Sequence, residues 1–233
     1  MSIAENIARV RERIAAVAKR AGRRESDVAL MAVCKTFPAE AIREAYQAGQ
    51  RLFGENRVQE FAEKAPKLAD LAGLEMHLIG HLQSNKANKA AELFSAVDSV
   101  DSLKVAERLN AAAAKSGKRL PVLIEVNVGG EEAKSGVPAT AAGVEEIVAT
   151  AGNLVNLEIR GLMTVPPYTE NPDGARLFFR KLRELRNEVS RASGLELSVL
   201  SMGMSHDFEV AIEEGSTCVR VGTAIFGTRP IKQ

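Results

Sequence analysis

Cysteine is scarce in this chain: Cys34 and Cys218 are the only two among 233 residues, each in an apolar, strand-like context. Such a pair suits buried thiols in a reducing compartment and excludes a disulfide framework. Cys/His spacings of the metal-binding kind are also missing, with only three histidines present. Charge of either sign is not in excess: 31 basic residues face 30 acidic ones. That balance excludes the electrostatic footprint of a nucleic-acid or membrane-surface protein. The basic clusters around 20–24 and 180–191 are interleaved with acidic residues and read as solvated helix faces. No apolar stretch reaches membrane-spanning length, and the amino terminus shows no hydrophobic signal core. The expectation is a soluble, cytoplasmic protein.

What is present is a regular alternation of patterns. Ile3, Ile7, Val10, Ile14 and Val17 mark one face of an amino-terminal amphipathic helix that Gly22 ends. Eight strand candidates follow: Val28 to Lys35, Arg51 to Gly54, His77 to His81, Ala96 to Val100, Pro121 to Val128, Glu158 to Val165, Glu196 to Ser201 and Cys218 to Phe226. Between them lie helical stripes, among them Ile42, Ala45, Tyr46 and Gly49 after Pro38, and Phe178, Leu182, Leu185 and Val189. A third stripe, Phe208, Ala211, Ile212 and Gly215, has Ser205 as its expected N-cap. Met31, Phe53, Phe178 and Phe226 read as core. Eight strands alternating with helices predict an α/β fold, a closed (β/α)8 TIM-type barrel with an extra amino-terminal helix, as one domain over residues 1–233. A doubly wound open sheet is the alternative. The fold alone names no function.

Chemistry is expected at the carboxyl ends of the strands. The run Val28–Cys34 is apolar at every position and ends on Lys35. A lysine there is poised as an amine nucleophile, since partial desolvation frees its lone pair; the alternative is a lysine that caps the strand and reaches water. The loops after the seventh and eighth strands, Ser201–Ser205 and Arg220–Gly227, combine glycine with hydroxyls, as phosphate-holding turns do. Arg220 alternates opposite Val219 and Val221 and so needs a partner. A salt bridge to Glu125 is one reading, and donation to a bound ring nitrogen or oxyanion is the other.

Lysine aldimine, phosphate cradle and inward arginine together point to pyridoxal 5'-phosphate (PLP). The segments Ala32–Thr36, Phe53–Glu60, His77–Lys86, Arg160–Thr164, Leu200–Ser205 and Arg220–Gly227 resemble, in order and over nearly the whole chain, the pyridoxal phosphate homeostasis protein family. That family is related in barrel type to the amino-terminal domain of alanine racemase. The resemblance implies that Lys35 carries PLP as a covalent aldimine. It implies that Ser201, Gly222 and Thr223 hold the phosphate, that Arg220 faces the ring nitrogen, and that Asn56 and Met163 line the pocket. Lys134 resembles a secondary cofactor contact, against the reading of a solvated loop lysine. Cys34, Arg57 and Met76 depart from the family's usual serine, tyrosine and tryptophan, and none of the three removes a ligand.

The same resemblance implies a carrier in vitamin B6 homeostasis and not an enzyme. An arginine at the ring nitrogen weakens the electron sink. The chain ends at Gln233, soon after Phe226, so the second domain from which a racemase of this class takes its opposing base is not expected. Tyr46, Tyr168, His77, His81 and His206 read as structural or solvated. A low-activity PLP-dependent racemase or lyase and a cofactor-free Schiff-base aldolase are the competing readings. PLP is the expected ligand, PLP-dependent apo-enzymes are the expected partners, and a monomer is the expected state.

Overall fold

The run Val28–Cys34 folds as the first stave of a closed parallel barrel. The computed structural model describes residues 1–131 and 133–228. Its strands are β1 (Ala29–Val33), β2 (Leu52–Glu55), β3 (Glu75–Leu78), β4 (Ala96–Val100), β5 (Leu120–Asn127), β6 (Val137–Pro138), β7 (Leu157–Met163), β8 (Val199–Met204) and β9 (Cys218–Val221). Every pairing is parallel, and β1–β9 and β4–β5 close the ring as β1-β2-β3-β4-β5-β7-β8-β9. This is the expected (β/α)8 barrel. The unforeseen β6 pairs only with the end of β5 and is not a stave.

The helices are α1 (Ile3–Arg20), α2 (Ala39–Gln47), α3 (Val58–Lys64), α4 (Ala87–Leu93), α5 (Leu103–Lys115), α6 (Ala141–Val148), α7 (Arg176–Ser193), α8 (Phe208–Glu213) and α9 (Thr223–Phe226). Helix α1 starts at a reciprocal cap, in which the Ser2 hydroxyl accepts from Glu5 N and the Glu5 carboxylate accepts from Ser2 N. Its buried face, Ile7, Val10, Ile14 and Val17, packs on α2, α8 and α9. Asn6 Nδ2 donates to the Ile225 carbonyl at 2.9 Å, tying α1 to the short helix that closes the chain's last βα unit.

Three local expectations are corrected. The strand read over Cys218 to Phe226 breaks at Gly222, and the apolar run beyond it coils into α9. Asp207, not Ser205, stands at the N-cap of α8. In α7 the residue buried beside Leu182, Leu185 and Val189 is Phe179; Phe178, one position off the stripe, is only half-buried.

The strands sort their side chains by parity. Leu30, Ala32, Phe53, Leu78, Val97, Ile124, Leu162, Leu200, Val219 and Val221 pack outward against the helices. Met31, Gly54, Leu123, Met163, Ser201 and Arg220 lie on the other face, toward the barrel axis. Each fully buried aliphatic side chain contributes roughly 1.5–3 kcal/mol, so the outer layer supplies most of the stability. Cys34 and Cys218 are buried and unpaired with each other, and burial pushes the Cys218 thiol up to about 12.

Where β7 meets β8 the backbones approach closely: a Cβ on Gly161 would lie 1.9 Å from the Val199 carbonyl oxygen. Gly161→Ala is expected to spread this pair at a cost of about 2 kcal/mol. At roughly 2–4 °C per kcal/mol for a chain of this size, thermal unfolding should fall by about 4–8 °C.

Candidate functional site

Lys35 follows β1 at the carboxyl mouth of the barrel, half-buried, in a turn closed by Phe37 N donating to the Cys34 carbonyl at 3.1 Å. Thr36, the next residue, has φ +69°, the one positive φ outside glycine among the described residues. A β-branched residue is strained there by about 1–3 kcal/mol. Thr36 N donates to Glu60 Oε1 at 2.6 Å, and Phe37 stacks on Phe226 of α9 with ring centroids 5.1 Å apart. The turn is thus pinned from α3 on one side and from α9 on the other.

Behind it lies a charged cluster in the layer between barrel and helices. Glu55, fully buried at the end of β2, accepts from Lys64 Nζ at 2.5 Å, and Lys64 also reaches Glu60 at 3.1 Å and the Cys34 carbonyl at 3.4 Å. Burial opposes the charge on Lys64, but the bonds and attraction of Glu55 and then Glu60 outweigh it and raise its pKa. The second oxygen of Glu55 accepts from Asn56 N at 3.1 Å. Asn56 is half-buried, with its backbone packed on Gly80, where a Cβ would lie 2.3 Å from the Asn56 carbonyl oxygen. None of this cluster was expected; its signal is a lysine four residues from Glu60 on a short helix beside a buried glutamate.

Arg220 is 3 % exposed inside the barrel. Its guanidinium donates to the Ser201 carbonyl at 2.7 Å, to Ser201 Oγ at 2.8 Å and to the Thr164 carbonyl at 2.7 Å. The salt bridge to Glu125 is therefore not formed: carbonyls at the ends of β7 and β8 capture the donors. Met163, also fully buried, sits beside Ser201 in the β7–β8 register.

The loop after β9 brings Gly222 and Thr223 together, but not Ser201. The Ser201 hydroxyl is fully buried and committed to Arg220. The hydroxyl at the loop is Ser205, whose Oγ accepts from Gly222 N at 3.3 Å and Ala224 N at 3.4 Å. Two backbone donors converging on one oxygen make an anion cradle, and Thr223 lies exposed between them. Parity in sequence could not separate Ser201 from Ser205, since both stand an even step apart.

Other expected residues lie outside this group. Lys134 pairs with Glu131 in the loop after β5, of which Glu132 lies outside the described residues, as do 229–233. His77 bonds Asp98 at 3.1 Å, His81 bonds Asp101 at 2.8 Å, and His206 reaches the Thr169 carbonyl at 3.1 Å. Tyr46 donates to the Ala72 carbonyl at 2.6 Å, and Tyr168 is exposed. Glu125, 9 % exposed near the end of β5, is pushed up to about 7, first by burial and then by Asp101, against the pull of Arg220 and His81.

Removing one partner of a buried ion pair leaves the other charge stranded, at about 3–5 kcal/mol. Lys64→Met should lower stability by that order, and adding Glu55→Leu should recover much of it, measured by urea unfolding. Glu125, with its folded value above the ordinary 4.5, stabilises fully below about pH 4.5, and that contribution is lost as pH rises through 7. Glu125→Gln should therefore raise the unfolding temperature relative to the parent at pH 8 and not at pH 4.5.

Comparison with known proteins matches this geometry to a family. The alanine racemase N-terminal domain matches residues 6–230. The pyridoxal phosphate homeostasis protein of Aquifex aeolicus is 48% identical over 229 residues, 98% of this chain and 99% of that protein. Its Escherichia coli counterpart is 43% identical, with 97% of each chain covered. PipY of Synechococcus elongatus, solved with PLP bound, superposes with a TM-score of 0.85 at 39% identity, over 97% of this chain and 100% of that one. A Clostridium difficile alanine racemase shares the fold, with a TM-score of 0.73 at 15% identity, over 57% of its own length. The chain belongs to the pyridoxal phosphate homeostasis protein family, built on the alanine racemase amino-terminal barrel.

Proposed function

We propose that this protein binds PLP covalently through Lys35, as an aldimine, and serves in intracellular vitamin B6 homeostasis as a carrier and not as an enzyme. The observation that carries the reading is the Lys35 turn. An amine is held half-buried at a barrel mouth by the Thr36–Glu60 bond and the Phe37–Phe226 stack. The residues around it fit the cofactor. Gly222 N and Ala224 N converge as donors for a phosphate oxygen, Thr223 adds a hydroxyl, and Asn56 and Met163 border the mouth. When bound, PLP supplies an aldehyde carbon for the amine and a ring able to take up electrons. Arg220 keeps a buried positive charge on the axis of the barrel, which opposes protonation of a nearby ring nitrogen and so weakens that ring as an electron sink. The homeostasis-protein names of relatives aligned over nearly their full length support the same role.

We take the protein to act as a cytoplasmic monomer that passes PLP to apo-enzymes. Among the described residues no helix is long and apolar enough to cross a membrane. A weak racemase or lyase is the second reading, and Glu125, a carboxyl near neutrality in the mouth, is the observation that favours it.

Titration of the apo-protein with PLP should raise a visible absorbance band that Lys35→Ala abolishes without unfolding the chain. Thr223→Ala should weaken PLP roughly tenfold or more, the loss expected for one hydrogen bond to a charged oxygen of about 1.5–3 kcal/mol, and should weaken pyridoxal much less. Equal losses would remove Thr223 from the phosphate site. The carrier reading also expects Cα proton exchange from alanine or serine in deuterated buffer barely above free PLP, and reactivation of an apo-enzyme by the loaded protein. A missing acid–base partner typically costs about 10²–10⁴-fold, so sustained enzymatic turnover lost in Lys35→Ala would decide for catalysis.

A further inference from the structure

Across the barrel from Lys35 stands a carboxyl whose bonding the fold leaves open. In the closed order β1-β2-β3-β4-β5-β7-β8-β9, strand β5 lies four staves from β1 in either direction, diametrically opposite. Val122, Ile124 and Val126 of β5 face the helices, which turns Leu123 and Glu125 toward the axis. Glu125 registers with Met163 of β7, and Met163 with Ser201 of β8, so it belongs to the same ring of mouth residues as Arg220's partners. It is more than nine-tenths buried, and its Oε2 has no hydrogen-bond partner among the described residues. A buried polar atom left unsatisfied is costly and calls for a partner outside the fold.

We infer that Glu125 is a ligand contact of the mouth: as the neutral acid it donates a hydrogen bond from its unpartnered oxygen to an acceptor atom of bound PLP, and its ionisation weakens that ligand. The inference rests on reading the mouth as the PLP site. The charged groups around Glu125 decide its protonation. Burial and Asp101, which follows β4, favour the neutral form, while Arg220 on β9 and His81 after β3 oppose it, leaving it near 7. On the neighbouring strand β7 its register partner is Met163, which does not titrate. Deeper on β4, Asp98 is bonded to His77, and in the following loop Glu131 and Lys134 pair with each other. Lys35 stands across the mouth, in the turn after β1. A neutral carboxyl has a proton to give and, among the described residues, nothing bonded to Oε2 to receive it. Once ionised it loses that donor and sets a negative charge against an anionic ligand.

Pyridoxine 5'-phosphate is the probe, because it lacks the aldehyde and leaves the Lys35 amine out of the reaction. Calorimetric titration between about pH 5.5 and 8.5, spanning the ionisation of a carboxyl shifted in this way, is corrected for the ligand's own ionisation. Parent affinity should fall about tenfold as pH rises through 7. Glu125→Gln keeps a donor that cannot ionise, so its affinity should stay level. Glu125→Ala should bind about three- to tenfold more weakly at low pH, the span of one neutral hydrogen bond. Infrared difference spectra of the parent on ligand addition at low pH should show a shifted protonated-carboxyl band that Glu125→Gln lacks. A Glu125→Gln profile as steep as the parent's, or Glu125→Ala binding as well as the parent, would overturn the inference and leave the PLP reading intact. Failure of the parent to bind either PLP or the probe would overturn that reading itself.

Discussion

One backbone hydrogen bond governs the placement of the amine: Thr36 N to Glu60 Oε1 at 2.6 Å. It holds a β-branched residue at φ +69° immediately after Lys35, a conformation the chain would otherwise leave. Glu60 in turn is fixed by Lys64, and Lys64 by the fully buried Glu55 and the Cys34 carbonyl. The strand end, the turn and α3 are therefore linked by one chain of hydrogen bonds. A hydrophobic replacement for the Glu55–Lys64 pair would restore much of the stability that breaking the pair costs. Glu60 supplies the oxygen that accepts from Thr36 N and also bonds Lys64, which ties the charged cluster to the lysine turn.

Barrel closure does the rest. Parallel staves deliver their carboxyl ends to one rim, so residues far apart in sequence meet without any long loop. The rim collects the Lys35 turn from β1, Glu125 from β5, Met163 from β7 and the Gly222–Ala224 donors beyond β9. Helix α1, outside the eight βα units, braces that last loop through Asn6 and the Ile225 carbonyl. Arg220 is held below the rim by carbonyls of its neighbouring staves and by no counter-ion. Its charge is thus held toward the axis with no carboxylate of the described residues in direct contact, which suits an anionic ligand.

The staves were legible because parallel strands buried on both faces leave apolar runs, unbroken in Val28–Cys34 and interrupted only by Glu125 and Asn127 in Pro121–Val128. Lys35 was legible because a charge ends such a run. The family motifs then covered nearly the whole chain, and the relatives carry the same name. What the sequence left unread was decided by three-dimensional neighbours. The stretch Ala224–Phe226 is too short to show a helical period, so it read as strand. Ser201 and Ser205 share a parity, and only the twist of β8 into its loop sends one hydroxyl to Arg220 and the other to Gly222 N. The Arg220–Glu125 ion pair stayed open as one of two readings because composition cannot reveal that strand-end carbonyls take the guanidinium donors. The Glu55–Lys64–Glu60 cluster showed only the four-residue spacing of Glu60 and Lys64, since a buried carboxylate and an exposed one are spelled alike.

Lys35 as the point of attachment is the claim on which the functional reading stands. Borohydride reduction of the PLP-loaded protein, followed by digestion and mass spectrometry, tests it most directly. The account predicts one pyridoxyl phosphate group per chain, on the peptide containing Lys35. A principal adduct on any other lysine, Lys134 included, would contradict it.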